Sequence, residues 1–210
     1  MGNRVNKEDI LNELFNINVG KSASLLSEII NKKIILCVPK IKIVNLNEET
    51  ISPTNYLPQG IQGSIMLSSI GFREELRGKA SLIFPADKTK AFVHLCLNQI
   101  DKDFSDLCFT DIDFDIIREI GNIILNTVIG EIANFLKIKL NYTLSEVKVF
   151  SKEDFNTSIN NKEYSHIIIL YITFKIDNTE IEGAIIINLS LTSLSQLLNK
   201  LEKIEDDFCE

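Results

Sequence analysis

The sequence predicts an α+β fold in which a helix-strand-strand-strand-helix unit is written twice, with pseudo-twofold symmetry. Six strands would form one sheet packed against long helices. Three observations carry this. Two stretches of more than twenty residues show helical apolar spacing, each is followed by three β-branched runs, and the two sets are offset by 106 residues. The whole chain, 1–210, then reads as one domain made of two repeats, about 7–102 and 113–203.

The first helix runs from about Lys7 to Asn31, with apolar residues at Ile10, Leu11, Leu14, Phe15, Ile17, Leu25, Leu26, Ile29 and Ile30. It leads into "KKIILCVPKIKIV", where alternation from Pro39 to Val44 marks a strand. "NLNEETISPTNYLPQG" is a loop by its prolines and polar clusters. Strands near Gly63 to Phe72 and Lys79 to Phe84 precede a helix expected to be capped at Asp87 and to run through "KTKAFVHLCLNQI". The second half repeats this order. A helix from about Asp113 to Leu136 is followed by one strand in "IKLNYTLSEVKVF", a loop in "SKEDFNTSINNKE", and strands in "SHIIILYITFKI" and "EIEGAIIINLS". "LTSLSQLLNKLEK" supplies the last helix.

Composition narrows the function. A net charge of −7 disfavours a sequence-independent grip on nucleic acid or on anionic lipid. No apolar run approaches the roughly 18 residues that span a bilayer, and "MGNRVNKEDI" lacks a signal core. Cys37, Cys96, Cys108 and Cys209 are scattered without a C-x-x-C pair, which fits a reduced, cytoplasmic protein. His94 and His166 stand apart in apolar runs, with no carboxylate at metal-ligand spacing. Neither a Gly-rich phosphate loop nor a nucleophile elbow is present. The expectation is a protein with no cofactor or metal of its own.

Against this sparse background one pattern stands out. "DIIREIGN" places Asp115, Glu119 and Asn122 on one face of an otherwise apolar helix, since residues three and four apart are neighbours there. Alone, such a column is a solvated face. However, "DILNELFN" places Asp9, Glu13 and Asn16 in the same register on the matching helix, and both read D-x-x-x-E-x-x-N. Chance repetition of three polar identities at the repeat offset is improbable, so the columns are candidate functional sites.

At these residues the chain resembles the CheC-type phosphatases of chemotaxis, a family that includes CheX and the phosphatase part of FliY. Their signature is Asp or Ser, then E-x-x-N, then a proline 23 residues after the asparagine. The first half holds all of it in Asp9, Glu13, Asn16 and Pro39, with Gly20, Ala23 and Ser27 at familiar places and Asn18 where many members have glycine. In the second half Asp115, Glu119 and Asn122 match, while Ser145 stands at the proline position. Two copies of the motif resemble two-site CheC more than one-site CheX.

The resemblance implies hydrolysis of the aspartyl phosphate on a CheY-type response regulator, with Mg²⁺ held by that regulator. Asn16 and Asn122 would orient the attacking water, while Glu13 and Glu119 would dock to a regulator lysine. Asp9 and Asp115 would support these or stabilise the helix starts, where a carboxylate suits the dipole. The complete signature makes the first site the expected stronger one. Facing a partner, neither asparagine is expected to contribute more than about 0.5 kcal/mol to stability. The alternative is a non-catalytic binding module of chemotaxis or of the flagellar switch, for example one that binds the receptor deamidase CheD. A structural motor component like FliY is the less expected rival, since the tail after the last helix is short for a switch domain. Internal duplication predicts a monomer.

Overall fold

The computed structural model describes residues 7–46, 57–58, 60–61, 63–97, 108–159 and 164–207. Helix α1 spans Lys7–Ile30, and strands β1 (Ile34–Asn45), β2 (Ile65–Glu74) and β3 (Gly78–Pro85) lead to α2 (Ala86–Cys96). The second half contains α3 (Asp111–Leu136), β4 (Leu140–Tyr142), β5 (Glu146–Phe150), α4 (Lys152–Ile159), β6 (His166–Ile176), β7 (Thr179–Leu189) and α5 (Leu191–Asp207). The expected α+β architecture is present, as one antiparallel sheet with helices.

Three local expectations need correction. The sheet has seven strands rather than six, because "IKLNYTLSEVKVF" breaks at residues 143–145 into β4 and β5, both paired with β2. The expected loop after it contains α4, whose start is held by Ser151 accepting from the Asp154 N–H at 3.1 Å. Asp87 does not cap α2: Pro85 is the N-cap, and Asp87 lies in the first turn, where its charge suits the helix dipole. The loop expected over residues 45–60 and the end of the helix expected to reach Ile100 fall largely outside the described residues, as does Cys209.

The sheet order is β1-β6-β7-β3-β2, with β4 and β5 beyond β2. Matching each strand to its counterpart in the other half turns this order into its own reverse, as a pseudo-twofold requires. Each half gives its first strand to the other: β1 pairs with β6, and β5 pairs with β2. The halves are thus one sheet rather than two side by side. The hairpin between β6 and β7 turns on Asp177, whose φ of 50° is in the left-handed region that Asp and Asn tolerate.

Alternation along the strands separates the two faces. Ile70, Phe72, Ala80, Leu82, Phe174, Ile185 and Ile187 face α1 and α3 and join Leu11, Phe15, Ile124 and Val128 in the main core. The opposite face carries a second apolar cluster, in which Leu57, Ile61 and Phe155 cover Ile65, Leu67, Ile83 and Ile186. Burial of such side chains is worth about 1.5–3 kcal/mol each, which fixes strand register and seats the two long helices.

Candidate functional site

The two acidic columns lie on α1 and α3, which pack together on one face of the sheet and are bridged by Lys21 Nζ and Glu131 Oε1 at 3.0 Å. Leu11, Phe15 and Val19 anchor α1 in the core, and Ile117, Ile120 and Ile124 anchor α3. That anchoring rotates Glu13 and Glu119 outward, where both are exposed, while Asn16 and Asn122 sit half-buried beside the sheet. Asp9 and Asp115 are exposed as well.

The helix starts explain part of the pattern. At α3 a capping box satisfies the orphan donors: Thr110 accepts from the Asp113 N–H, and Asp113 Oδ2 accepts from the Thr110 N–H at 2.7 Å. Asp113 therefore completes the cap, while Asp115 pairs with Arg118 one turn on. Asp9 does lie in the first turn of α1, where the dipole favours a carboxylate.

The two asparagines differ in what holds them. Asn16 Oδ1 accepts from the Val38 N–H at 3.0 Å, and its Nδ2 donates to the carbonyls of Asn12 at 3.0 Å and Val38 at 3.3 Å. Three of the four hydrogen-bonding positions of the amide are thereby filled, leaving one lone pair on Oδ1. Val38 is available because of Pro39. Proline has no N–H to continue the ladder, and the β1–β6 register slips between Cys37 and Lys40, a bulge with one extra residue on β1. The bulge leaves Val38 outside the β6 pairing, and its N–H and C=O meet the Asn16 amide.

At the repeat offset, this bulge falls on the break between β4 and β5. Val38 corresponds to Leu144, which is 93% exposed, and Pro39 corresponds to Ser145. Among the described residues, the Asn122 side chain makes no hydrogen bond. Its position is set instead by the neighbouring Gly121, where an added Cβ would stand 2.1 Å from Ser68 Oγ and 2.6 Å from Ser68 Cβ on β2. Only glycine lets α3 approach the sheet this closely.

Val38 and Ser68 lie outside the D-x-x-x-E-x-x-N pattern, and Gly121 stands at one of its unspecified positions. A glycine inside an apolar helix costs about 1 kcal/mol relative to alanine, so Gly121 beside the motif was a usable signal of close backbone approach. The backbone groups of Val38 leave no trace in residue type. Among the described residues no three His, Cys, Asp or Glu side chains are grouped to hold a metal ion. Burial pushes the Cys96 thiol up to about 12, against a smaller opposing effect of Lys32, so it is no nucleophile at neutral pH. Among the described residues no helix is long and apolar enough to cross a membrane.

No family model matches the chain. Among curated proteins it is similar to the CheY-P phosphatase CheC of Bacillus subtilis (strain 168), with 28% identity over 144 residues, 67% of this chain and 65% of the relative. Among solved structures it is similar to Thermotoga maritima FliY, with a TM-score of 0.72 at 16% identity over 94% of this chain and 96% of that one. These likenesses support the CheC/CheX/FliY family. The FliM middle domain from H. pylori shares the fold, with a TM-score of 0.63 at 9% identity over 92% of this chain and 97% of that one. At such identities the shared fold is what the solved structures show. The match to CheC spans about two thirds of that relative's length.

Proposed function

We propose that this chain is a phosphatase for the aspartyl phosphate of a CheY-type response regulator. The observation that supports it most is the paired D-x-x-x-E-x-x-N column on two helices that lie side by side on one sheet face, with both glutamates exposed. The curated likeness to a CheY-P phosphatase points the same way.

An asparagine amide does not titrate near neutral pH and cannot act as a general base. It can hold a water in line with a phosphoryl group, and phosphoryl transfer depends mainly on positioning and electrostatics. The acyl phosphate is already reactive and its Mg²⁺ belongs to the regulator, so an amide that enters the regulator's site supplies what is missing. Glu13 and Glu119 would pair with a regulator lysine and fix the docking. No phosphoenzyme forms on this chain, so the phosphoryl group passes directly to water.

The second column is the better catalyst in this reading. Asn122 offers an unengaged amide, whereas Asn16 would have to release Val38 before donating a hydrogen bond. This reverses the weighting suggested by the complete signature around Pro39. The same observation favours a second reading for the first column: Glu13 docks a partner while Asn16 ties α1 to β1 without catalysis. A partner such as CheD could use that surface. Mixing the purified protein with phosphorylated candidate regulators and following phosphate release tests the main reading. Acceleration with at least one regulator is expected. Inert behaviour towards every regulator of the host would leave only the binding role.

A further inference from the structure

On the sheet face opposite the motif helices, at the β5 end, lies a hollow of about 190 Å³ that the proposed reaction does not use. Strand alternation aims Ser69 of β2, Ser81 of β3 and Asn188 of β7 into it, flanked by Lys79, Glu146 and Lys148. Leu67 and Phe150 form its apolar border with the second core cluster.

These polar side chains sit where the pattern calls for apolar ones. Ser69, Ser81 and Asn188 are 2%, 3% and 5% exposed. Among the described residues, Asn188 Oδ1 is buried without a hydrogen-bond partner, and neither serine hydroxyl makes a hydrogen bond. A buried polar group left unpaired is destabilising by about 1–3 kcal/mol, so a hollow that holds one such atom beside two serine hydroxyls without a protein partner points to an occupant. The charges say which kind. Lys148 is paired with Glu146 at 2.9 Å, while Lys79 has no ion pair among the described residues, giving the rim one net positive charge on a chain of net charge −7.

We propose that this hollow binds inorganic phosphate. Lys79, Lys148 and the two serine hydroxyls would donate to its oxygens. Its remaining P–OH would donate to Asn188 Oδ1, the buried acceptor that has no partner among the described residues. That last contact sets the specificity. Inorganic phosphate keeps a P–OH proton throughout the neutral range, whereas sulfate has none and a phosphomonoester above pH 7 is mostly a dianion without one. Glu146 opposes the ligand's charge and limits the affinity.

The test uses the full chain without any regulator, so its outcome is independent of the phosphatase reading. Backbone amide shifts would be followed at pH 7.5 and constant ionic strength during titration with sodium phosphate, sodium sulfate or methyl phosphate. Phosphate should shift the amides of Ser69, Lys79, Ser81 and Asn188 together and saturably, and should bind at least tenfold tighter than the other two ions. Lys79→Met should lose at least tenfold in affinity with the rest of the spectrum intact, and Glu146→Gln should gain severalfold. Equal binding of the three ions, or weakened binding in Glu146→Gln, would overturn the assignment. So would an unchanged spectrum in phosphate, leaving the hollow to water.

Discussion

Replacing Asn16 and Asn122 by alanine should affect stability very differently, although the two residues hold the same motif position. Asn16→Ala removes three hydrogen bonds and leaves the N–H and C=O of Val38, a residue 3% exposed, without their partner. Stranding buried backbone groups costs about 1–3 kcal/mol each, with the 3.3 Å contact at the low end, so the gross loss is about 2–3 kcal/mol. Alanine is the better helix former by about 0.6 kcal/mol, which brings the net loss to about 2 kcal/mol. For a chain of 210 residues this lowers Tm by about 4–8 °C. Asn122→Ala breaks no hydrogen bond among the described residues and gains the same propensity, so its Tm should be unchanged or slightly raised. Because the propensity gain is common to both, the difference between the variants isolates the hydrogen bonds of Asn16, two to Val38 and one to the Asn12 carbonyl. Thermal and urea unfolding of the two proteins side by side measures it. Variants that melt together would refute the role given to Val38 and to the bulge at Pro39.

Further outcomes follow from individual contacts. Ser68→Ala should raise stability by about 1 kcal/mol in urea unfolding, because Ser68 Oγ is buried without a hydrogen-bond partner among the described residues. Gly121→Ala should destabilise by about 1–3 kcal/mol through overpacking against Ser68, as read by the same unfolding curves. The Cys96 pKa is raised by burial from 9.0 to about 12, so its neutral thiol favours the folded state. That contribution is complete below pH 9.0 and is lost as pH rises towards about 12, which a Cys96→Ala variant should show as a flatter stability profile over that window. Light scattering at micromolar concentration should give a mass near 23.8 kDa, the monomer that internal duplication implies.

Much of this was legible in residue order, for reasons that differ by element. The long helices showed because apolar side chains repeat with helical period over α1 and α3, and the strands β6 and β7 because both faces are buried and their β-branched runs are continuous. The motif columns showed because duplication places the same three polar residues twice. The split of β4 from β5 did not show: Thr143 and Leu144 are compatible with a strand, and only the equivalence with the bulge at Cys37 and Lys40 reveals why the chain turns there. The sequence leaves the cap of α3 open, because Asp113 and Asp115 are chemically alike and the choice between them depends on Thr110 geometry. The difference between Asn16 and Asn122 was hidden because it depends on backbone groups of a strand 22 residues away.

The most direct test compares phosphate release from a phosphorylated CheY-type regulator by wild type, Asn16→Ala, Asn122→Ala and the double variant, at a temperature where all four are folded. Losing a group that positions the reacting water reduces the rate by about tenfold or more, as for other preorganised hydrogen-bonding groups in active sites. Asn122→Ala should show that loss, Asn16→Ala should keep the larger share of wild-type activity, and the double variant should fall to the regulator's own rate. A folded Asn122→Ala protein that releases phosphate as fast as wild type would contradict the account.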